Sequence, residues 1–158
     1  MNKTNAMRQL ERAGIAFEPL FYTPDENDLS GTHIASQVGL SPDIVFKTLV
    51  ARGDKKGISV FCIPADRELD LKAAAALTGD KRLEMVAVKD LLATVGYMRG
   101  ACSPVGMKKV FPTYIDKSAQ THERITVSAG VRGCQLLLSP DDIIRFTKAT
   151  VSHLTKEA

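Results

Sequence analysis

Apolar positions along this chain change period every eight to fifteen residues or so, and the changes mark out short elements. Residues 5–13 place Met7, Leu10 and Ala13 three apart ahead of Gly14, which predicts a helix with a stop signal. Residues 15–22 are apolar and aromatic and predict a strand; Pro19 puts it at an edge or a bulge. Residues 32–38 predict a helix capped by Thr32 or Gly31 and ended by Gly39. Ser41-Pro42 is a second helix-start signal with room for one turn. Two strand-like runs, 45–52 and 58–63, flank GDKKG and predict a hairpin. The alanine-rich stretch 69–77 is the strongest helix, ended by Gly79, with Asp66 or Asp70 at its start. Beyond it the pattern predicts strands at 82–87, 110–115, 124–127, 134–138 and 150–154. Helices are expected at 88–94 and after Ser139-Pro140. Hairpin-linked strands alternate irregularly with helices. That favours a mixed α/β (α+β) single domain over residues 1–158, with a curved, partly barrel-like, mostly antiparallel sheet flanked by helices.

Two places break the pattern. Lys47 sits inside an apolar run, and strict alternation puts it on one face with Leu49 and Ala51, opposite Phe46, Thr48 and Val50. It is either a solvent-facing lysine or a cation held rigidly in a cleft. Residues 96–109, GYMRGACSPVGMKK, combine three glycines, a proline, small residues and the cations Arg99, Lys108 and Lys109. Such a loop lets a ligand approach the backbone, and its free N–H groups suit an oxyanion or a phosphate. An ordinary connector has the same composition. A second glycine loop, 128–133, carries Ser128 and Arg132.

Composition narrows the chemistry. With 158 residues, 44% of them hydrophobic and 25% charged, the chain suits a globular domain. No apolar run approaches the ~20 residues of a membrane span, and the N-terminus lacks a signal-peptide core. A cytoplasmic location is therefore the default expectation. Cys62, Cys102 and Cys134 are an odd number without a CxxC pair, and His33, His122 and His153 lie far apart. Neither set has metal-ligand spacing, so no metal and no cofactor is expected. The net charge of +3 permits a phosphate-bearing ligand, but no arginine-rich stripe marks a duplex DNA binder.

The pieces VFKTLV at 45–50, GYMRGACSPVGMKK at 96–109 and ITVSAGVRG at 125–133, in this order and spacing, resemble the YbaK/EbsC family of aminoacyl-tRNA deacylases. That family is related to the editing domain inserted in bacterial prolyl-tRNA synthetases. The resemblance runs over nearly the whole chain, including IAFEPLFY, LDLKAAAALTGDKRLEMV and the SPDD helix start. It implies a fold with a curved, partly barrel-like sheet. It also implies trans-editing: hydrolysis of the ester at the acceptor end of mischarged tRNA, foremost Cys-tRNA(Pro), alongside prolyl-tRNA synthetase. Ala-tRNA(Pro) is the alternative substrate, and a non-catalytic tRNA-end-binding or regulatory module is the alternative of another class.

The resemblance assigns catalysis to Lys47 and to Gly100 of the GxxxP loop, Gly100–Pro104. It groups Tyr22, Ser30, Thr48, Ala101, Ser103, Pro104, Ser128 and Gln135 around the substrate. Lys108, Lys109 and Arg132 are the expected tRNA phosphate contacts, with exposed cationic turns as the alternative. Backbone N–H groups around 100–102 would hold the carbonyl or ribose, and Lys47 the terminal phosphate, the adenosine or the oxyanion. The cysteine-specific branch uses the substrate's own thiol as nucleophile, which fits the lack of a legible catalytic triad. Cys102, beside Arg99 and Lys108, is the alternative nucleophile, whereas Cys62 and Cys134 belong to core strands. The chain departs from the family pattern at Ser30, where relatives have phenylalanine. It departs again at Ala101 and Ala129, each in place of a glycine, and at Gln135, acidic in some relatives. These departures bear on amino-acid specificity.

Overall fold

The computed structural model describes residues 2–157. Five helices and eight strands run in the order α1 (Asn5–Arg12), β1 (Glu18–Phe21), α2 (Gly31–Val38), β2 (Phe46–Gly53), β3 (Gly57–Pro64), α3 (Leu71–Thr78), β4 (Leu83–Met85), α4 (Val88–Val95), β5 (Thr113–Asp116), β6 (Ile125–Ser128), β7 (Cys134–Leu138), α5 (Pro140–Thr147) and β8 (Thr150–Ser152). A single 3-10 turn, Lys117–Thr121, follows β5.

The strands form two sheets, in the orders β1-β7-β6 and β4-β2-β3-β5-β8. Four pairings are antiparallel, while β3–β5 and β5–β8 are parallel. No closed barrel results among the described residues. Between them is one parallel bridge, Val45 to Thr126, with the Thr126 N–H donating to Ile44 O at 3.0 Å. The expected mixed, mostly antiparallel architecture holds, with two sheets standing where a partly barrel-like one was anticipated.

Alternation along β2 and β3 explains the packing. Phe46 and Cys62 join the larger core beneath α1 and α5, with Leu10, Ile125, Leu136 and Ile143. Leu49, Ala51, Phe61 and Ile63 point the other way, toward Ala74 and Ala75 of α3. Both faces of this hairpin are covered, which is why β3 reads as a nearly unbroken apolar run. A third, smaller cluster joins Ile34 and Ala35 of α2 to Val45 and Ala65.

Several boundaries differ from the expectation. The strand expected at 110–115 is β5 at Thr113–Asp116 instead, because Val110 is fully exposed and Pro112 has no N–H to pair. The strand expected at 15–22 shortens to β1, with Ile15 buried as coil, and the strands expected at 82–87 and 150–154 shorten to β4 and β8. Ser41-Pro42 opens a turn closed by the Ile44 N–H on Ser41 O, since β2 takes over at once. Helix α2 is capped by the Ser30 hydroxyl, which accepts from the His33 N–H, and neither Thr32 nor Gly31 serves. Asp70 caps α3, as one of the two sequence options. Among the described residues no helix is long and apolar enough to cross a membrane.

Candidate functional site

Strand β4 pairs with β2 only from Ala51 to Gly53, so the edge of β2 from Lys47 to Leu49 has no strand neighbour on that side among the described residues. A cavity of about 340 Å³ opens along this bare edge. Its other walls are the start of α2 with Ser30, Gly31 and Ile34, the β4–α4 segment with Met85, Val86, Val88 and Leu91, and the loop residues Arg99, Gly100 and Cys102. Ser128 and Gln135 also line it.

Lys47 is half-buried, and its Nζ donates to Ala65 O at 3.3 Å. Burial holds the ammonium below the usual lysine range, while the carboxylates of Glu68 and Asp66 push the other way. The solvent-facing alternative therefore gives way to a cation held at a cleft wall. Gly31 makes this approach possible. A Cβ there would stand 2.7 Å from the Ala65 Cβ and 4.0 Å from the Lys47 Cβ. Beside Lys47, the Thr48 hydroxyl lies 3.9 Å from the buried Cys62 Sγ.

The loop at 96–109 is held from within and from outside. The Tyr97 hydroxyl donates to Val105 O at 2.6 Å, and the Val105 N–H donates to Ser103 Oγ at 3.2 Å. The Lys108 N–H donates to Val95 O and its Nζ to Ala93 O, tying the loop's end to α4. Two bonds flank Gly100: Ser128 Oγ donates to Ala101 O, and Arg132 Nε donates to Arg99 O, each at 2.9 Å. Gly100 itself has φ +86°, and a Cβ there would lie 3.2 Å from both Arg132 Nε and a Leu29 methyl. Only glycine holds that backbone conformation without strain.

The far wall is neutral. Gln135 is buried, and its Oε1 accepts from the Thr126 hydroxyl at 2.9 Å, which leaves the amide NH₂ as its free group. Burial pushes the Cys102 thiol up to about 12. Among the described residues, no aspartate, glutamate or histidine lines the cavity. Its polar inventory is dominated by donors and positive charge. Such a site can stabilise an oxyanion or bind phosphate and ribose, and it offers no side chain suited to general-base work near neutral pH.

Of the residues singled out from the sequence, Lys47, Ser30, Thr48, Gly100, Ser128 and Gln135 meet at this cavity, as do Arg99 and Cys102. The others stand apart from its lining. Ala101 and Ser103 are turned into the protein, where Ala101 O and Ser103 Oγ accept hydrogen bonds that shape the loop. Pro104 follows them in the half-buried turn. Tyr22 packs against the Ile34, Ala35, Val45 and Ala65 cluster, behind the α2 wall. Arg132 spends its Nε on the loop backbone, and Lys108 gives one ammonium N–H to Ala93 O, while Lys108 and Lys109 are both exposed. Cys62 and Cys134 are core residues, as expected. Among the described residues, no three His, Cys, Asp or Glu side chains come together as a metal site.

Sequence reasoning missed Gly31 and the apolar wall of Met85, Val86, Val88 and Leu91. A glycine directly after a capping serine was the one available hint for the first. The second shows as nothing but ordinary strand and helix residues.

Comparison with known proteins adds four findings. The aminoacyl-tRNA editing domain family matches residues 30–146. EbsC of Enterococcus faecalis, described as a candidate Cys-tRNA(Pro)/Cys-tRNA(Cys) deacylase, is 44% identical over 97% of this chain and 93% of its own length. A proline–tRNA ligase of Shouchella clausii is 33% identical over 63% of this chain, a region spanning 17% of the ligase. The crystal structure of a candidate trans-editing enzyme for prolyl tRNA synthetase superposes with a TM-score of 0.84 at 22% identity, covering 99% of this chain and all of the other. That last likeness establishes the fold.

Proposed function

The chain belongs to the aminoacyl-tRNA editing domain family, and from that premise we propose that it is a trans-editing deacylase whose substrate is Cys-tRNA(Pro). Residues 1–158 act as one unit in this reading, on the acceptor end of the tRNA in the cytoplasm. One observation carries it. The Lys47 ammonium and the Gly100 turn, 53 residues apart in sequence, bound one cavity whose polar groups are mainly hydrogen-bond donors.

The chemistry follows from that inventory. Attack on an aminoacyl ester drives negative charge onto the carbonyl oxygen, and a preorganised donor there is worth roughly 3–4 kcal/mol. The Ala101 N–H already donates to Met98 O, so the loop's donors for the ester narrow to Gly100 and Cys102. The bare edge of β2 at Thr48 supplies backbone groups for the ribose or the α-amino group. Lys47 holds the terminal phosphate or the oxyanion. The cavity's one thiol stays protonated at neutral pH, which argues against Cys102 as nucleophile. A cysteinyl substrate brings its own thiol, and an ordinary thiol ionises near 8.5. Its sulfur bonds to the carbonyl carbon, the carbon–oxygen bond to the ribose breaks, and the ribose oxygen takes the proton. Water then opens the resulting thioester. All three expected phosphate contacts keep free donors: Lys109, the outer guanidinium nitrogens of Arg132 and the two remaining ammonium N–H groups of Lys108. Prolyl-tRNA synthetase is the natural partner for delivery of the tRNA.

The deciding assay follows ester loss from Cys-, Ala-, Ser- and Pro-charged tRNA(Pro), with Lys47→Ala as control. The reading requires fast loss of Cys, slow loss of the near-isosteric Ser, and a large deficit in Lys47→Ala. Equal loss of Cys and Ser would remove the thiol from the mechanism. No acceleration for any substrate would sink the deacylase reading and leave the tRNA-end-binding module.

A further inference from the structure

Eight large apolar side chains are exposed among the described residues, and four of them, Met85, Val88, Leu92 and Met98, fall within fourteen consecutive positions. Val88 is 60% exposed and Leu92 55%, four apart on α4 and therefore on one face of the helix. Met85 and Val88 also line the mouth of the cavity described above, so this face continues its wall outward. Arg99, exposed and carried by the loop that Arg132 holds, lines the same cavity. The apolar band thus has a cationic flank at the entrance to a donor-rich cavity.

The cavity's size decides what crosses that entrance. About 340 Å³ accommodates a terminal aminoacyl-nucleoside but not the nucleotides before it. These are unpaired in a tRNA acceptor end, so each exposes an apolar base face and one phosphate charge. Single-stranded nucleic acid is bound where a surface for base faces runs beside positive charge. We propose that the α4 face formed by Val88 and Leu92, with Met85 and Met98, receives the unpaired bases that precede the substrate's terminal nucleotide, their phosphates directed to Arg99. The proposal rests on the deacylase reading for the identity of the strand, and it extends the site beyond the reacting ester. It also accounts for an apolar surface that would otherwise face water at the mouth of the cavity.

The test separates the surface from the chemistry. A 5′-fluorescent single-stranded RNA ending in the cytidine–cytidine–adenosine sequence common to tRNAs is titrated into the full chain, and adenosine 5′-monophosphate is titrated in parallel. Leu92→Ser and Met98→Ser together should weaken the oligonucleotide by on the order of tenfold and leave the mononucleotide unchanged, since neither side chain lines the cavity. Leu92→Phe should tighten the oligonucleotide. Both positions are exposed, so the variants should keep the wild-type melting temperature. Unchanged oligonucleotide affinity in the double variant overturns the proposal. So does a change of oligomeric state in that variant with RNA binding intact, which would make the face a contact between copies of the chain. Turnover of charged tRNA by the wild type is scored separately. If it is absent while the oligonucleotide effects stand, the deacylase reading falls and the RNA surface remains.

Discussion

Replacing Gly31 with alanine tests how tightly the cavity is framed. The added Cβ would come 2.7 Å from the Ala65 Cβ, a rigid neighbour that cannot swing aside as a long side chain would. Overpacking of this kind costs roughly 1–3 kcal/mol. Gly31 lies at the first position of α2 with no positive φ, so alanine regains up to about 0.5–1 kcal/mol of helix propensity. The net expectation is a loss of about 1 kcal/mol, or about 3 °C in melting temperature for a chain of this size. Function should suffer more than stability. Ala65 O is the acceptor for Lys47 Nζ, so pushing α2 and Ala65 apart displaces the cation. A few tenths of an ångström there should lower kcat roughly tenfold, with KM changing less. Ala65→Gly removes the collision, so in a double-mutant cycle the combined variant should recover about 1 kcal/mol relative to the sum of the single changes. Urea unfolding and single-turnover deacylation read the two effects. A Gly31→Ala protein as stable and as active as wild type, with no coupling to Ala65→Gly, would refute the claim that this contact positions Lys47.

Other consequences follow from individual groups. Ser128→Ala strips the donor from Ala101 O and the acceptor from the Gly130 N–H, and a buried carbonyl left unpaired costs about 1–3 kcal/mol; an unchanged urea midpoint would mean that the loop holds without it. Cys102→Ala should deacylate at the wild-type rate at neutral pH, because the thiol is protonated there, and a large fall in single-turnover rate would restore it as a nucleophile. Lys47 should titrate below 10.5, followed by NMR of the ammonium. Since the unfolded chain then holds the proton longer, this group makes stability rise with pH between its folded pKa and 10.5, and a midpoint at or above 10.5 would show the cation to be unburied. Asp80 behaves in the opposite sense. The Thr78 hydroxyl and the Lys55 and Lys56 N–H groups hold its carboxyl below 3.8, so its contribution is full above that pH and is lost as pH falls through the folded value. Asp80→Asn should lower stability at pH 7 and flatten the acid limb of the unfolding curve, and an unaltered limb would contradict the assignment.

The parts of the fold that were legible are those decided by neighbours in sequence. The β2–β3 hairpin was readable to within a residue, because alternation and the GDKKG turn both act over a few positions. The phase of Lys47 along β2 followed from the same alternation. Residues 110–112 were misread because apolar composition alone says nothing about burial, and Val110 is left in solvent. Ser30 was singled out as a substrate contact; it lines the cavity, and it is also the cap of α2, a role the sequence reading gave to Thr32 or Gly31. Ser103 and Ala101 lie in the right loop and face away from the cavity. The direction each residue of an irregular loop takes depends on its hydrogen bonds, and here the partners, Tyr97, Ser128 and Arg132, include two from another loop.

By itself the sequence determined the set of elements, the family, and the two segments that carry the candidate chemistry, since helix caps, strand alternation and glycine loops are short-range properties of the chain. Only the tertiary structure decided that β4 stops short along β2, that α2 closes over Lys47 through Gly31, and that Ser128 and Arg132 hold the carbonyls on either side of Gly100. Those outcomes join residues from 16 to 34 positions apart. Packing volumes and the pairing of buried polar groups settle them, and neither leaves a pattern in any one stretch of sequence.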